Sequence, residues 1–161
     1  ATLESNQLFC ETVVDKPALR IDRYAPAPYG CALTDASSAI TATFGDAIWL
    51  DDLVIQPTDE GVRIGSAWSV DGAVPLHEFT VSYQVFDSAG EKVGQFDQEL
   101  PRGAVPWGDV SIPLNDMPDG EYELRLTVYK WQTLEQLSGQ VNGSGELAKL
   151  LPVGRVSWET P

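Results

Sequence analysis

The chain has 161 residues, of which 43% are hydrophobic and 21% are charged, and its formal net charge is −14. This composition is typical of one soluble globular domain. The negative charge repels nucleic-acid phosphates and anionic lipids, so both are disfavoured as partners. No apolar run approaches the roughly 20 residues of a membrane-spanning helix, and we therefore expect no direct membrane insertion by this segment.

A signal peptide has a basic stretch followed by an apolar one, and the start of this chain does not show that pattern. The first residue is Ala1 rather than methionine. We therefore expect an excised segment of a longer protein or a mature form. The acidic composition suits an extracytoplasmic, secreted or membrane-tethered, setting.

Residues 1–40 differ from the rest, because prolines interrupt them and their apolar residues show little period. We interpret them as an irregular N-terminal arm with one or two strands, followed by a domain over residues 41–161. The arm holds both cysteines, Cys10 and Cys31, which predicts one disulfide; two unpaired thiols are the alternative. The spacing does not fit a metal site, and the one histidine, His77, is distant in sequence.

From residue 40 the chain reads as short strands separated by turn residues. Phe79 to Phe86 alternates well, with Val81, Tyr83 and Val85 on one face and polar residues on the other. This is the pattern of a half-buried antiparallel strand. The predicted strands cover residues 48–55, 62–68, 79–86, 92–99, 109–114, 121–131 and 147–158, and residues 132–146 are predicted to form a mobile loop.

This succession of short strands predicts an all-β fold. We expect an antiparallel two-sheet β-sandwich, immunoglobulin-like or jelly-roll in type. No repeat of fixed period is present.

A family resemblance covers residues 44–131. Phe44-Gly45-Asp46-Ala47-Ile48-Trp49-Leu50, the hairpin from Phe79 to Gly90, Trp107-Gly108-Asp109-Val110 and Pro118-Asp119-Gly120-Glu121-Tyr122 follow in order. Together they resemble the C-terminal extracytoplasmic β-sandwich module of bacterial, Chloroflexi-type, membrane glycosyltransferase-like proteins. The chain departs from that module at Gln84, where a histidine is usual, and at Asp109, where a glutamate is usual. The resemblance implies a non-catalytic domain whose parent chain is membrane-anchored.

Catalytic patterns are weak throughout the sequence. His77 has no nucleophile motif around it, and Asp51 and Asp52 point to opposite faces if they lie on a strand. Residues 143–148 fit a dinucleotide-binding glycine pattern but lack its strand and helix context. We predict no catalytic residues, no cofactor and no metal ligands. Calcium stays open, because Asn115, Asp116 and Asp119, and likewise Asp59 and Glu60, are oxygen ligands in tight loops, although Asp and Asn also form turns in their own right.

Aromatic residues are the candidate ligand-binding groups. Trp107 precedes a short strand in a loop, and Tyr83 and Trp68 lie on predicted strands. Such rings can stack on sugars, and they can equally fill a sandwich core. The leading interpretation is a non-catalytic extracytoplasmic accessory or interaction domain with a protein or glycan partner. The alternative is a carbohydrate-binding module that uses exposed aromatics, and a glycosidase-type enzyme is the least favoured.

Overall fold

The computed structural model describes residues 7–16, 19–26, 40–72, 74–100 and 107–159, with backbone alone for residues 7–26, 76 and 107–109. The chain divides into two compact units, Ala1–Ser38 and Ala39–Pro161. In the first unit, β1 (Gln7–Lys16) and β2 (Leu19–Pro26) pair as an antiparallel hairpin. The N-terminal arm thus contains two regular strands where the sequence predicted one or two.

The described part of the second unit is built almost wholly from strands, joined by turns and by a 3₁₀ turn at Leu76–Glu78. Its described strands are β3 (Ala42–Phe44), β4 (Ile48–Thr58), β5 (Gly61–Val70), β6 (Phe79–Phe86), β7 (Lys92–Glu99), β8 (Trp107–Pro113), β9 (Gly120–Lys130), β10 (Glu135–Gln136), β11 (Gly139–Val141) and β12 (Leu151–Trp158).

Two antiparallel sheets of five strands each form this unit. One has the order β11-β3-β4-β5-β8. The other has the order β10-β9-β6-β7, and β12 also pairs with β9. The predicted all-β, two-sheet antiparallel sandwich is therefore confirmed. Within the part of the chain that the structure describes, we find no helix with the length and apolarity needed to cross a membrane.

Apolar residues at alternate strand positions form one core between the sheets. Phe44, Leu50 and Ile64 come from the first sheet, and Val81 and Leu126 come from the second. All five are almost completely buried. Burying each large side chain stabilises the fold by roughly 1.5–3 kcal/mol relative to leaving it exposed. Alternation thus places one face of each strand in the core and leaves the other face free for polar groups.

A tyrosine at the start of β9 ties this strand to the turn before it. The Tyr122 hydroxyl donates a hydrogen bond to the Pro118 carbonyl oxygen at 2.6 Å. A tyrosine hydroxyl bonded to the backbone a few residues upstream is the tyrosine corner of immunoglobulin-like sandwiches. The segment Pro118-Asp119-Gly120-Glu121-Tyr122, which the sequence marked as a strand start, folds in this way.

The segment predicted as a mobile loop, residues 132–146, contains two short strands instead. Its strand β10 extends the second sheet beside β9, and β11 extends the first sheet beside β3. Leu137 N donates to the Val128 carbonyl and Gly139 N to the Ala148 carbonyl, both at 2.8 Å. The prediction was wrong because short polar strands show no hydrophobic period, although their backbone still pairs with a sheet edge.

Candidate functional site

Two of the three predicted aromatic binding residues lie inside the core. Trp68 is 1% exposed and Tyr83 is 0% exposed. The Tyr83 hydroxyl lies 2.7 Å from Ser66 Oγ, and Trp68 Nε1 donates to the same Oγ at 2.9 Å. Neither ring can stack on a ligand at the surface, which corrects the expectation for these two residues. The contact between Ser66 and Tyr83 joins β5 to β6, and so links one sheet to the other.

The remaining predicted positions fall partly outside the described residues. Trp107 begins β8, but its side chain lies outside them. Cys10 lies in β1 by its backbone, and Cys31 lies outside the described ranges, as does the predicted disulfide between them. Among the described residues, no three His, Cys, Asp or Glu side chains come together as a metal site.

A polar cavity on the outer face of the second sheet is the best candidate for a site. Its volume is about 330 Å³, and we call it the outer groove. That volume falls at the lower end of the range of small-ligand sites, roughly 300–1,000 Å³. The residues that line it come from β6, β7, β9, β10 and the turn before β10: Ser82, Gln84, Lys92, Gln95, Asp97, Thr127, Tyr129, Leu134 and Gln136.

Strand register brings these side chains together from distant parts of the sequence. Ser82 of β6 pairs with Asp97 of β7 on one side and with Thr127 of β9 on the other. Gln136 of β10 pairs with Tyr129 of β9. Because alternate residues of each strand point into the core, their polar neighbours share the outer face.

The floor of the outer groove consists of two small hydroxyl residues. Ser82 and Thr127 are each only 1% exposed. Ser82 Oγ accepts a hydrogen bond from Gln84 Nε2 at 3.1 Å. Thr127 Oγ1 is buried without a hydrogen-bond partner among the described residues. A buried hydroxyl that makes no hydrogen bond costs roughly 1–3 kcal/mol of folding free energy. The floor of the outer groove therefore contains a polar group that destabilises the fold.

The walls carry amides and one charge of each sign. Gln95 Nε2 donates to both carboxylate oxygens of Asp97, at 3.0 and 2.8 Å, and Lys92 Nζ donates to Gln95 Oε1. Burial first, and then the charge of Asp97 and its hydrogen bond, raise the pKa of Tyr129 above its ordinary value. A hydrogen bond with Thr80 acts in the opposite direction. The phenol is therefore neutral and able to donate at ordinary pH.

Leu134 supplies the apolar rim of the outer groove. Its side chain is 71% exposed, and its backbone has a positive φ of 59°. The left-handed region is unfavourable for a residue with a Cβ atom, at roughly 1–2 kcal/mol per residue. Leu134 N still donates to the Lys130 carbonyl at 2.8 Å, so the turn between β9 and β10 is closed by a regular backbone hydrogen bond.

A second cavity, of about 360 Å³, lies on the same sheet towards the start of β9. Its polar groups largely satisfy one another. Arg125 donates to Glu123 at 2.5 Å and lies 4.2 Å above the centre of the Phe86 ring. Ser157 donates to Glu121 at its edge. Although it is slightly larger, this cavity, unlike the outer groove, is lined by no described residue with a buried side-chain polar atom that lacks a hydrogen-bond partner.

Comparison with known proteins gives no further guide to the site. The chain matches no protein-family model, and no curated protein matches it in sequence.

The outer groove was not predicted from the sequence, although one signal for it was present. Thr80, Ser82 and Gln84 were placed on the polar face of β6, and a merely solvated face more often carries lysine and glutamate. Small hydroxyl and amide side chains in the middle of a central strand indicate a polar surface that is covered. The register with β7 and β9, which assembles the site, cannot be obtained from the β6 pattern.

Proposed function

We propose that this chain is a non-catalytic extracytoplasmic binding domain, an accessory or interaction domain of a larger membrane-anchored or surface protein. The observation that carries the proposal is the outer groove, whose floor holds a buried hydroxyl without a partner among the described residues. The described residues supply that hydroxyl with no partner, whereas a bound group would supply one.

The charge and the sequence resemblance support the location. A net charge of −14 keeps a domain soluble at an exposed surface, and residues 44–131 resemble a module of the outer face of bacterial membranes. The proposal includes the Cys10–Cys31 disulfide, which belongs with an oxidising compartment.

A second candidate function is that of a carbohydrate-binding module. The lining of the outer groove favours it, because hydroxyl and amide side chains each offer both donors and acceptors. In this form of the hypothesis, the binding surface moves from the aromatic residues Tyr83 and Trp68 to the polar face of the second sheet.

Surface labelling tests the proposed location. The protein is produced in its native organism from its own gene, and intact cells are treated with a membrane-impermeant amine-reactive biotin. We expect labelling of this domain in intact cells at the level seen after lysis. A cytoplasmic marker protein serves as the control. Labelling that appears only after lysis would contradict the extracytoplasmic location.

Hydrolysis assays test the absence of catalysis. The chain is incubated with chromogenic glycosides of neutral sugars, alongside an Asp97→Asn variant, because Asp97 is the one carboxylate among the described residues that line the outer groove. We expect no release of the chromophore above buffer for either protein. Turnover by the wild type that the variant lacks would make the domain a glycosidase.

A further inference from the structure

We infer that the outer groove is a binding site for a neutral saccharide, with the Thr127 hydroxyl bonding to a sugar hydroxyl at its floor. The inference rests on the proposed function and gives it a ligand class and a position. Three features of the outer groove point to this chemistry: its unpaired hydroxyl, its balance of charge and its apolar rim.

The floor calls for a ligand that both donates and accepts hydrogen bonds. Thr127 Oγ1 is buried and has no partner among the described residues, yet its residue lines the cavity. The Thr127 hydroxyl can donate one hydrogen bond and accept two. A sugar hydroxyl offers the same combination, so one such group can bond to Thr127 and also to a neighbouring amide such as that of Gln84.

The charge of the lining selects a neutral ligand. Lys92 and Asp97 are the charged residues of the outer groove, one of each sign, and Gln95 bridges them. A phosphate, sulfate or uronic acid would have to approach a chain of net charge −14 without an excess of positive charge in the site. The amides of Gln84, Gln95 and Gln136 instead suit the uncharged hydroxyls of a sugar ring.

The rim supplies the apolar contact that a sugar ring needs. A pyranose has polar edges and a face of C–H groups, and such a face packs against apolar side chains. Leu134 stands exposed beside the polar lining, held there by a left-handed backbone. Unfavourable backbone conformations of this kind cluster at ligand-binding sites.

A glycan array tests the inference with the full 161-residue chain. The array carries neutral gluco-, manno-, galacto- and xylo-oligosaccharides, together with sialylated and uronic-acid oligosaccharides. We expect binding to at least one neutral class. Isothermal titration with the best neutral oligosaccharide then compares the wild type with Thr127→Val, Gln95→Ala and Thr43→Val.

The variants are chosen so that each can fold. Thr127→Val keeps the branched shape and removes the unsatisfied hydroxyl, and Gln95→Ala alters an exposed wall residue on β7. Each should weaken binding about three- to tenfold, the loss of a neutral hydrogen bond. Thr43→Val is the matched control, because Thr43 lies on β3 of the other sheet and outside the groove, and it should leave affinity unchanged.

Three results would overturn the inference: no binding to any neutral glycan, binding to anionic glycans alone, or neutral-glycan affinity that Thr127→Val and Gln95→Ala both leave unchanged. An extracytoplasmic domain that binds no glycan would keep the proposed function and lose only this ligand. A cytoplasmic domain that binds glycan through the outer groove would contradict the proposed function and keep the inferred ligand.

Discussion

Replacing Ser66 with alanine should destabilise the sandwich more than removing the hydroxyl of its larger partner. Ser66 Oγ accepts from Trp68 Nε1 at 2.9 Å and lies 2.7 Å from the Tyr83 hydroxyl, and all three residues are buried. Ser66→Ala leaves two buried polar groups without this partner. At roughly 1–3 kcal/mol for each unsatisfied group, we expect a loss of about 2–4 kcal/mol in the free energy of unfolding.

Tyr83→Phe breaks only one of the two hydrogen bonds. Ser66 Oγ keeps its bond from Trp68 Nε1, so the expected loss is about 1–2 kcal/mol. In the double variant, Trp68 Nε1 is the one member of this cluster left unpaired. The cost of Ser66→Ala together with Tyr83→Phe should therefore be about 2–4 kcal/mol less than the sum of the two single costs.

Urea denaturation followed by tryptophan fluorescence measures these differences by linear extrapolation. Ser69→Ala is the matched control, because Ser69 lies on the same strand, is exposed and donates only to Asp51 at 3.0 Å. It should cost less than about 0.5 kcal/mol. The reasoning fails if Ser66→Ala costs no more than Tyr83→Phe, or if the two costs add within about 0.5 kcal/mol.

Three further predictions concern alkaline pH and two backbone positions. Burial raises the pKa of Tyr83 from 10.0 to about 12, so the unfolded chain loses this proton at lower pH than the folded chain does. In alkaline denaturation, the free energy of unfolding should therefore fall by about 2–3 kcal/mol between pH 10 and 12, and the fall should be smaller in Tyr83→Phe. Gly61→Ala, whose Cβ would lie 2.2 Å from the Ile112 carbonyl oxygen, should cost about 2–4 kcal/mol in urea denaturation, whereas Gly120→Ala meets open space and should cost less than about 1 kcal/mol. Leu134→Gly should raise stability by about 0.5–1 kcal/mol in the same assay, because it relieves a left-handed φ at an exposed residue.

The sheet strands were predictable because their signal is local. Alternation within residues 79–86 and 92–99 gave the bounds of β6 and β7 as the structure has them. Turn residues predicted where β9 begins, and the turn before this strand accepts a hydrogen bond from the Tyr122 hydroxyl at the Pro118 carbonyl oxygen. The last strand was less well bounded: it was predicted from residue 147 but begins at Leu151, and Ala148 before it pairs with Gly139 as an isolated bridge instead of extending the strand.

The outer groove depends on information that no single strand contains. Thr127 on β9 reads as an ordinary polar position between Leu126 and Val128. It becomes a buried floor residue only in the assembled sheet, where Ser82 lies opposite it. The burial of the aromatic residues could not be predicted from one strand either. The strand pattern around a tyrosine is the same whether its ring fills a core or lies on an exposed binding surface.

Two energetically unfavourable features lie at the outer groove. Measuring the stability and the affinity of variants at both positions distinguishes a binding site from a defect of packing. The unpaired Thr127 hydroxyl costs roughly 1–3 kcal/mol and the left-handed Leu134 backbone roughly 1–2 kcal/mol, against a total stability of about 5–15 kcal/mol for a typical domain. If both features serve a ligand, Thr127→Val and Leu134→Gly should each gain stability in the free protein and lose affinity for the saccharide.

Control variants outside the groove should not combine a gain in stability with a loss of affinity. Thr43→Val changes a threonine on the other sheet, and Leu147→Gly changes an equally exposed leucine that lacks a positive φ. Leu147→Gly should lose up to about 1 kcal/mol through the added freedom of its unfolded chain, with affinity unchanged. Gains in stability without any loss of affinity in the two groove variants would reduce both features to imperfect packing. Opposite movements in both would tie them to one ligand, because the two residues share only the outer groove.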